Sequence, residues 1–363
     1  MKILIFNWKD MKHPYYGGAE VNIHEQAKIW IKQRHKVTQF SPRFKGAKKE
    51  ENIDGIRIVR YGGRFTNYIY APIIYLLKLR KECDIIIDIE NGIPYFTPLY
   101  SRKPKICIIH HVHQDIFFRE LPLIIAWVPL LLEKYGLRLF YKKTKIIAVS
   151  HTTRDEAIKK LGINLDNIKI IYNGLDHKKF HSTKKKSKKP TILYFGRLMK
   201  YKRIDKLIEI FSKIVKLIPE SELIIAGTGV VENELKEKTK KLRLENKIKF
   251  LGYVSDEQKS DIMKKSWLFI NPSSMEGWGV TIIESNSLGT PAISFNVPGL
   301  KESIKNGKTG YIVNTDEEMI EKSIYVLKNK RVRNNLGRNA ILWSKNFTWE
   351  NTAKQTLELL KKK

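Results

Sequence analysis

Cysteine is scarce in this chain, with two residues, Cys83 and Cys107, among 363. Neither sits in a CxxC pair or a Cys/His spacing, which excludes a disulfide framework and a thiolate metal site. Both lie in apolar runs that read as buried strands, and core thiols in a reducing cytosol are expected. Long hydrophobic runs are missing too. The most apolar stretch, LPLIIAWVPLLL from Leu121 to Leu132, has 12 residues with two prolines, whereas a membrane-spanning helix needs about 20. It cannot cross a bilayer alone, but it is able to lie in one. The opening MKILIFNWKD has only a short apolar run before polar residues and reads as a first β-strand rather than a signal peptide. A cytoplasmic protein is expected, peripheral on the inner face of the cell membrane if it docks there. No tandem repeat is visible, which argues against a solenoid.

Acidic residues are also in deficit, 37 against 68 lysines and arginines, for a formal charge of +31. Such an excess favours contact with something anionic: a lipid surface, phosphate-bearing substrates or nucleic acid. A compositional bias towards Lys and Ile, scattering lysines over solvated faces, gives the same number. The length exceeds what one hydrophobic core usually supports, and the 42% apolar content is that of a globular protein, so two domains are the first expectation.

Short apolar runs alternate with helix-length segments: KILIF, a helix from about Ala19 to Gln33, KVTQF, CDIIIDI, KICIIH and KIIAVS. A second alternation runs through TILYFG, a helix from about Asp205 to Leu217, ELIIAG, KIKFLGY, WLFINPS, TPAISF and GYIVN. This rhythm predicts parallel sheets with crossover helices. The divisions are residues 1–178, a polar linker over 179–190 that includes HSTKKKSKKP from His181 to Pro190, residues 191–346, and a helical tail over 347–363 able to pack back on the first domain.

In such sheets ligands bind beyond the carboxyl ends of the strands, where glycine-rich turns lead into helices. PSSMEGWG, from Pro272 to Gly279, joins the strand WLFIN to a helix that begins near Val280 and runs through Ser287. Its glycines let backbone amides approach an anion, and the helix dipole favours negative charge there. Glu276 precedes this cradle, and Glu284 lies about one turn into the helix. Carboxylates accept hydrogen bonds from vicinal hydroxyls, so one glutamate suits a ribose and the other a hexose at the two ends of a diphosphate. A nucleotide sugar has that layout. IAGTG, Ile225 to Gly229, lacks the full dinucleotide spacing, since Val230, Val231 and Glu232 follow; a dehydrogenase is not expected.

Glu276, seven residues and Glu284, followed by SNSLGTPAISFNVPGLKESIKNGKTGYIV, resemble the donor signature of the family 4, group 1 retaining glycosyltransferases of the GT-B fold. The resemblance covers nearly the whole chain, including GRLMKYK (Gly196 to Lys202), IAGTG, FLGYV (Phe250 to Val254) and NGLD (Asn173 to Asp176). It implies an α/β fold of two Rossmann-like domains facing across a cleft. It also implies metal-independent transfer of a hexose-type sugar from a nucleoside-diphosphate sugar, with no cofactor, to a glycan or a polyprenyl- or glycolipid-type acceptor.

By the same resemblance Arg197 and Lys202 grip the diphosphate, as suits a leaving group that gains negative charge in the transition state. Glu284 holds the ribose and Glu276 the sugar hydroxyls. The amides of Gly277, Trp278 and Gly279 meet sugar or phosphate, and Gly17 and Gly18 form a loop closing over the phosphates. A bare Gly-Gly before a helix also reads as a plain turn. The family carries a histidine that contacts the transferred sugar; in ICIIHHVHQD, Ile106 to Asp115, His110 and His111 are the candidates and His113 is a third. An HxH with a nearby Asp also suits zinc, but no distant His/Cys set accompanies it.

Asp88-Ile89-Glu90 looks like the metal-binding DxD of another glycosyltransferase fold, yet it ends a strand on the acceptor side; Asp88, Glu90 and Asn91 are expected to face the acceptor instead. The segment from Phe117 to Lys143 mixes apolar residues with Arg119, Lys134, Arg138, Lys142 and Lys143. It reads either as a docking surface for an anionic membrane or as a helix pair buried on the sheet. A GT-B epimerase or phosphorylase-like enzyme is the alternative within the fold. A basic nucleic-acid-binding protein is the alternative outside it, disfavoured because the lysines spread along the chain.

Overall fold

The computed structural model describes residues 1–114, 117–118, 122–180 and 182–361; Asp115, Arg119, Leu121 and His181, named above, lie outside the described residues. The chain forms two units, Met1–Gly174 with Trp349–Lys363, and Leu175–Thr348.

The first unit is built on eight strands: β1 (Lys2–Phe6), β2 (Lys36–Ser41), β3 (Glu50–Ile53), β4 (Ile56–Arg60), β5 (Ile85–Glu90), β6 (Lys105–Ile109), β7 (Lys145–Ala148) and β8 (Ile168–Ile170). Their order is β3-β4-β2-β1-β5-β6-β7-β8, and all pair in parallel except the β3–β4 hairpin. A parallel sheet covered on both faces needs apolar side chains on both. Accordingly Ile3 and Ile5 of β1 enter one core with Trp30, Ala353 and Leu357, while Leu4 and Phe6 enter another with Phe40, Tyr75 and Tyr95.

The C-terminal helix Trp349–Lys361 thus completes a core begun by the first strand. The Trp30 indole nitrogen donates to the Ala353 carbonyl at 3.1 Å.

The second unit has six strands, β9 (Thr191–Phe195), β10 (Glu222–Ala226), β11 (Ile248–Gly252), β12 (Leu268–Asn271), β13 (Ala292–Phe295) and β14 (Gly310–Val313), in the order β11-β10-β9-β12-β13-β14. All are parallel. This is the doubly wound dinucleotide-fold order, which reverses between β9 and β12 and leaves a crevice beyond their carboxyl ends. The covering helix Ile204–Leu217 buries Ile204, Leu207, Ile208, Phe211 and Ile214, the spacing of one helical face.

The polar stretch read as a linker packs against this unit from Ser182 onward. Lys186 Nζ donates to the Ser266 carbonyl at 2.7 Å and to Thr290 Oγ1 at 2.5 Å, and the Trp267 indole donates to the Ser187 carbonyl at 2.7 Å. The reason is local: Ser266 caps the helix Asp256–Lys265, and its carbonyl needs a donor that the helix does not supply. Among the described residues no helix is long and apolar enough to cross a membrane.

Leu357 is 6% exposed in the core it shares with Trp30. Leu357→Ala is therefore expected to destabilise the first unit by about 2–4 kcal/mol, measured by urea unfolding monitored through tryptophan fluorescence. An unchanged midpoint would contradict a core role for this helix.

Candidate active site

In the second unit Gly196 and Arg197 follow β9 and run beside the turn after β10. Gly196 N donates to the Ala226 carbonyl at 3.1 Å and Leu198 N to the Thr228 carbonyl at 2.9 Å. The backbones are so close that a Cβ on Gly227 would lie 2.0 Å from Gly196 O, and one on Gly229 2.1 Å from Leu198 O. The glycines of IAGTG serve this contact, which explains why they lack the dinucleotide spacing.

Arg197 is exposed, and its Nη2 donates to Tyr201 Oη at 3.3 Å. Ser274 N and Oγ both donate to the Tyr201 carbonyl, at 2.9 and 3.0 Å, tying GRLMKYK to PSSMEGWG. Lys202 Nζ and Glu276 Oε1 form a partly buried ion pair across the same junction. Two groups expected to contact different parts of a ligand thus begin as partners of each other.

Gly279 caps the helix Val280–Ser287 with φ +75°. A Cβ there would meet Leu300 Cδ2 and Ser303 Oγ at 2.9 Å, so glycine is required by conformation and by space. The Trp278 ring is 3% exposed and packs edge-on to Phe347 at 5.1 Å. It anchors the loop, and the backbone of Gly277 packs so closely on Gly299 that a Cβ on Gly299 would lie 2.7 Å from Gly277 O. Glu284, 7% exposed, is held by Lys259, whose Nζ lies 2.7 Å from Oε2. Lys259 also stands over the rings of Phe180 and Phe195, at 4.9 and 4.7 Å.

In the first unit the chemistry gathers beyond β1, β5 and β6, where the strand order reverses. Asp88 does not face an acceptor as expected: it is fully buried and accepts from Tyr141 Oη, from Thr97 Oγ1 at 2.9 Å and from Tyr95 N at 3.3 Å. These donors assign it to the core. Glu90 is fully buried; its Oε1 accepts from Gly92 N, while Oε2 has no partner. Asn91 donates to Asn7 Oδ1 at 3.2 Å, and Asn7 Nδ2 is itself unpartnered.

His110 is 4% exposed with Nε2 unpartnered, and burial pulls its pKa down to about 3. His111 is half-buried, its ring 6.2 Å from that of His113. His113 stacks on Phe117 at 5.9 Å. Its backbone N donates to Glu133 Oε1 at 2.7 Å, and burial likewise lowers its imidazole to about 3. Four orphaned polar atoms, on Asn7, Glu90, His110 and His113, therefore sit at the ends of three neighbouring strands. Buried polar atoms are nearly always satisfied in proteins, so these four are positions for water or a polar ligand to pair with. Gly17 caps the helix Gly18–Lys32 and donates its N–H to Glu20 Oε2 at 2.7 Å. A Cβ on Gly18 would touch nothing within 4 Å, so packing does not account for that glycine.

Two residues of these sites were not visible as candidates in the sequence. Lys259 is one lysine in a lysine-rich chain, marked only by the Ser255/Gln258 capping box just before it. Glu133 lies inside an apolar segment, where a single carboxylate invited no attention.

Two doubly wound α/β units in one chain, each with polar groups at the carboxyl edge of its sheet, define a GT-B protein. The chain belongs to the family 4, group 1 glycosyltransferases: the family model "Glycosyltransferase Family 4" matches residues 16–179, and "Glycosyl transferases group 1" matches residues 176–343. It is similar to the phosphatidylinositol N-acetylglucosaminyltransferase gpi3 subunit of Schizosaccharomyces pombe, with 28% identity over 178 residues; the match covers 48% of this chain and 39% of that protein, under half its length. Among solved structures it is similar in fold to sucrose-phosphate synthase from Thermosynechococcus elongatus, with a TM-score of 0.82 at 17% identity over 99% of this chain and 98% of that one. It is also similar in fold to Anabaena HepE in complex with UDP and glucose, with a TM-score of 0.78 at 20% identity over 99% of both chains.

His110 yields a titration prediction. Its folded pKa lies below the ordinary 6.5, at about 3, so the stability it contributes is present above pH 6.5 and is lost as pH falls towards 3. The imidazole is expected to stay neutral from pH 8 to pH 5 in long-range ¹⁵N NMR. Below pH 6.5 this residue should draw stability down with a limiting slope of about 1.4 kcal/mol per pH unit. A His110 imidazole titrating between pH 6 and 7 would contradict the burial argument.

Proposed function

We propose that this chain transfers a hexose-type sugar from a nucleoside-diphosphate sugar to a glycan or lipid-linked acceptor, with retention at the anomeric carbon and without a metal at the diphosphate. One observation carries the reading: Arg197, the Lys202–Glu276 pair, the Gly277–Gly279 backbone and Glu284 gather beyond β9 and β12, where a doubly wound sheet binds its ligand. The HepE structure, in complex with UDP and glucose, supports a nucleotide-sugar donor.

In this mechanism the anomeric C–O bond to phosphate breaks as charge builds on the departing diphosphate. Arg197, Lys202 and the amides at the start of the helix Val280–Ser287 stabilise that charge. Glu276 stays beside Lys202 and takes the sugar hydroxyls, while Glu284 takes the ribose. The acceptor hydroxyl forms its bond on the face the phosphate leaves and passes its proton to a phosphate oxygen. His110, held neutral by burial, acts on the sugar as a hydrogen-bonding group, and His111 is the half-exposed alternative in that role.

A thermal-shift screen with UDP-, GDP- and ADP-sugars tests the donor class, since a ligand that binds only the folded state raises the midpoint. Arg197 is exposed, so Arg197→Ala should leave the unfolding midpoint in place and lower turnover on the order of 100-fold or more. An unchanged rate would defeat the assignment.

The acceptor side of the proposal is lipid-linked. The helix Leu123–Phe140 exposes Leu123, Ile125, Trp127, Val128, Leu131 and Leu139, so the expectation of a buried helix pair does not describe it. Arg138, Lys142 and Lys143 are exposed beside this apolar face. Apolar insertion with flanking cations is the chemistry of peripheral docking on an anionic bilayer, here at its cytoplasmic side. The name of the S. pombe relative, a phosphatidylinositol N-acetylglucosaminyltransferase subunit, supports a lipid acceptor. The protein should float with liposomes containing anionic lipid at low salt, and Trp127→Glu combined with Leu131→Glu should return it to the soluble fraction. Recovery of the unaltered protein only in the soluble fraction would count against docking.

A further inference from the structure

We infer that Glu90, His113 and Glu133 form a binding site for one first-row divalent cation in the first unit. Glu90 ends β5, His113 lies in the loop after β6, and Glu133 projects from the helix Leu123–Phe140. One ligand atom from each lies within 4.8 Å of the other two. The side chains of both glutamates are fully buried, so two carboxylates share an interior position where neither ionises cheaply alone.

The second observation is independent of the clustering. Glu90 Oε2 and His113 Nδ1 are both buried and lack hydrogen-bond partners, and Glu133 Oε1 lies 3.8 Å from His113 Nδ1. Two unpartnered atoms in one buried cluster call for an electron-pair acceptor. A single proton would satisfy both only within hydrogen-bond distance, which they do not have, whereas one cation can reach both and the second carboxylate as well. The other carboxylate oxygens are already oriented: Gly92 N donates to Glu90 Oε1, His113 N to Glu133 Oε1, and Gln114 Nε2 to Glu133 Oε2. Outer-shell donors of this kind commonly fix metal-bound carboxylates, and each oxygen keeps a further lone pair for a metal.

Gly92 makes the approach possible. Its φ is +98°, and a Cβ there would lie 3.3 Å from His113 Cγ and 3.0 Å from Phe117 Cζ. A side chain at 92 would be strained at that φ and would crowd the Phe117 and His113 rings.

Two carboxylates and one imidazole, with no thiolate, suit Mn²⁺, Fe²⁺, Co²⁺ or Zn²⁺. Metal–ligand bonds of about 2.0–2.2 Å place ligand atoms roughly 3–4 Å apart, so small side-chain movements close the site. The role of the cation is to clamp the loop after β6 that carries His110 and His111 in the same unit. The inference does not rest on the transferase reading, because binding is measured directly.

The test uses the full chain after removal of metal by chelator and dialysis. Calorimetric titration with Mn²⁺ and with Zn²⁺ should give one equivalent of at least one ion, and Glu90→Gln and Glu133→Gln should each weaken it at least tenfold. Glu133→Gln could loosen the loop by itself, so a second measurement uses the unaltered protein: at substoichiometric Mn²⁺ the His113 imidazole signals should broaden first. No stoichiometric binding of either ion would overturn the site. So would binding indifferent to Glu90→Gln, or broadening confined to other histidines.

Discussion

A buried carboxylate must be compensated where it sits, because a lone ionised group in the interior costs several kcal/mol even after relaxation. Much of the polar architecture of this chain answers that constraint. In the first unit Asp10 is met by the fully buried Arg60, with bonds of 2.7 and 2.8 Å, and Glu51 by the same guanidinium at 2.5 Å. Asp88 is met by hydroxyls and a backbone amide. In the second unit Glu276 and Glu284 are met by Lys202 and Lys259. The last two pairs differ from Arg60 in kind. Arg60 is locked by four oxygens, two of Asp10, one of Glu51 and the Lys48 carbonyl, whereas Lys202 and Lys259 each approach one carboxylate oxygen.

The two sheets apply one geometric rule to different chemistry. Each reverses its strand order once, and each collects polar groups at that edge, beyond β9 and β12 in one and beyond β1 and β5 in the other. The second edge is cationic and glycine-rich, with loops that touch backbone to backbone at Gly196 and Gly227 and so hold Arg197 at a fixed height. The first edge is lined by neutral imidazoles and carboxyl groups, and burial pushes Glu133 up to about 7. A diphosphate fits the former charge pattern, whereas hydroxyl-rich or cationic ligands fit the latter.

This division was partly legible in the sequence, and for identifiable reasons. Period and composition located the strands because parallel strands buried on both faces read as unbroken runs such as IIIDIE. The glutamates at 276 and 284 stood out because a loop and a helix fix their spacing. The lysine partner of Glu284 did not, since Lys259 meets it only through the packing of two helices. Glu90, His113 and Glu133 come from a strand, a loop and a helix, and no local pattern links them. Asp88 was misread because a strand-end carboxylate looks the same in sequence whether it faces solvent or three donors. The packing of the stretch before β9 was not legible because its lysine-rich composition gives no sign that Lys186 turns inward to the Ser266 carbonyl and Thr290 Oγ1.

The remaining question of scale concerns the +31 charge and the exposed apolar helix. Near an anionic surface each lysine or arginine contributes about 1 kcal/mol and only within a Debye length. The three exposed cations beside the helix would therefore concentrate the protein at a membrane without fixing it there. Burying a large apolar side chain contributes about 1.5–3 kcal/mol, and six such residues on one helix exceed the electrostatic share. Insertion should then set the affinity and charge the rate of arrival, which requires both on one surface. Pro129 lies inside this helix and removes a backbone hydrogen bond. A helix interrupted in that way suits the interface, where water can satisfy the freed carbonyl, better than the hydrocarbon core, where nothing can.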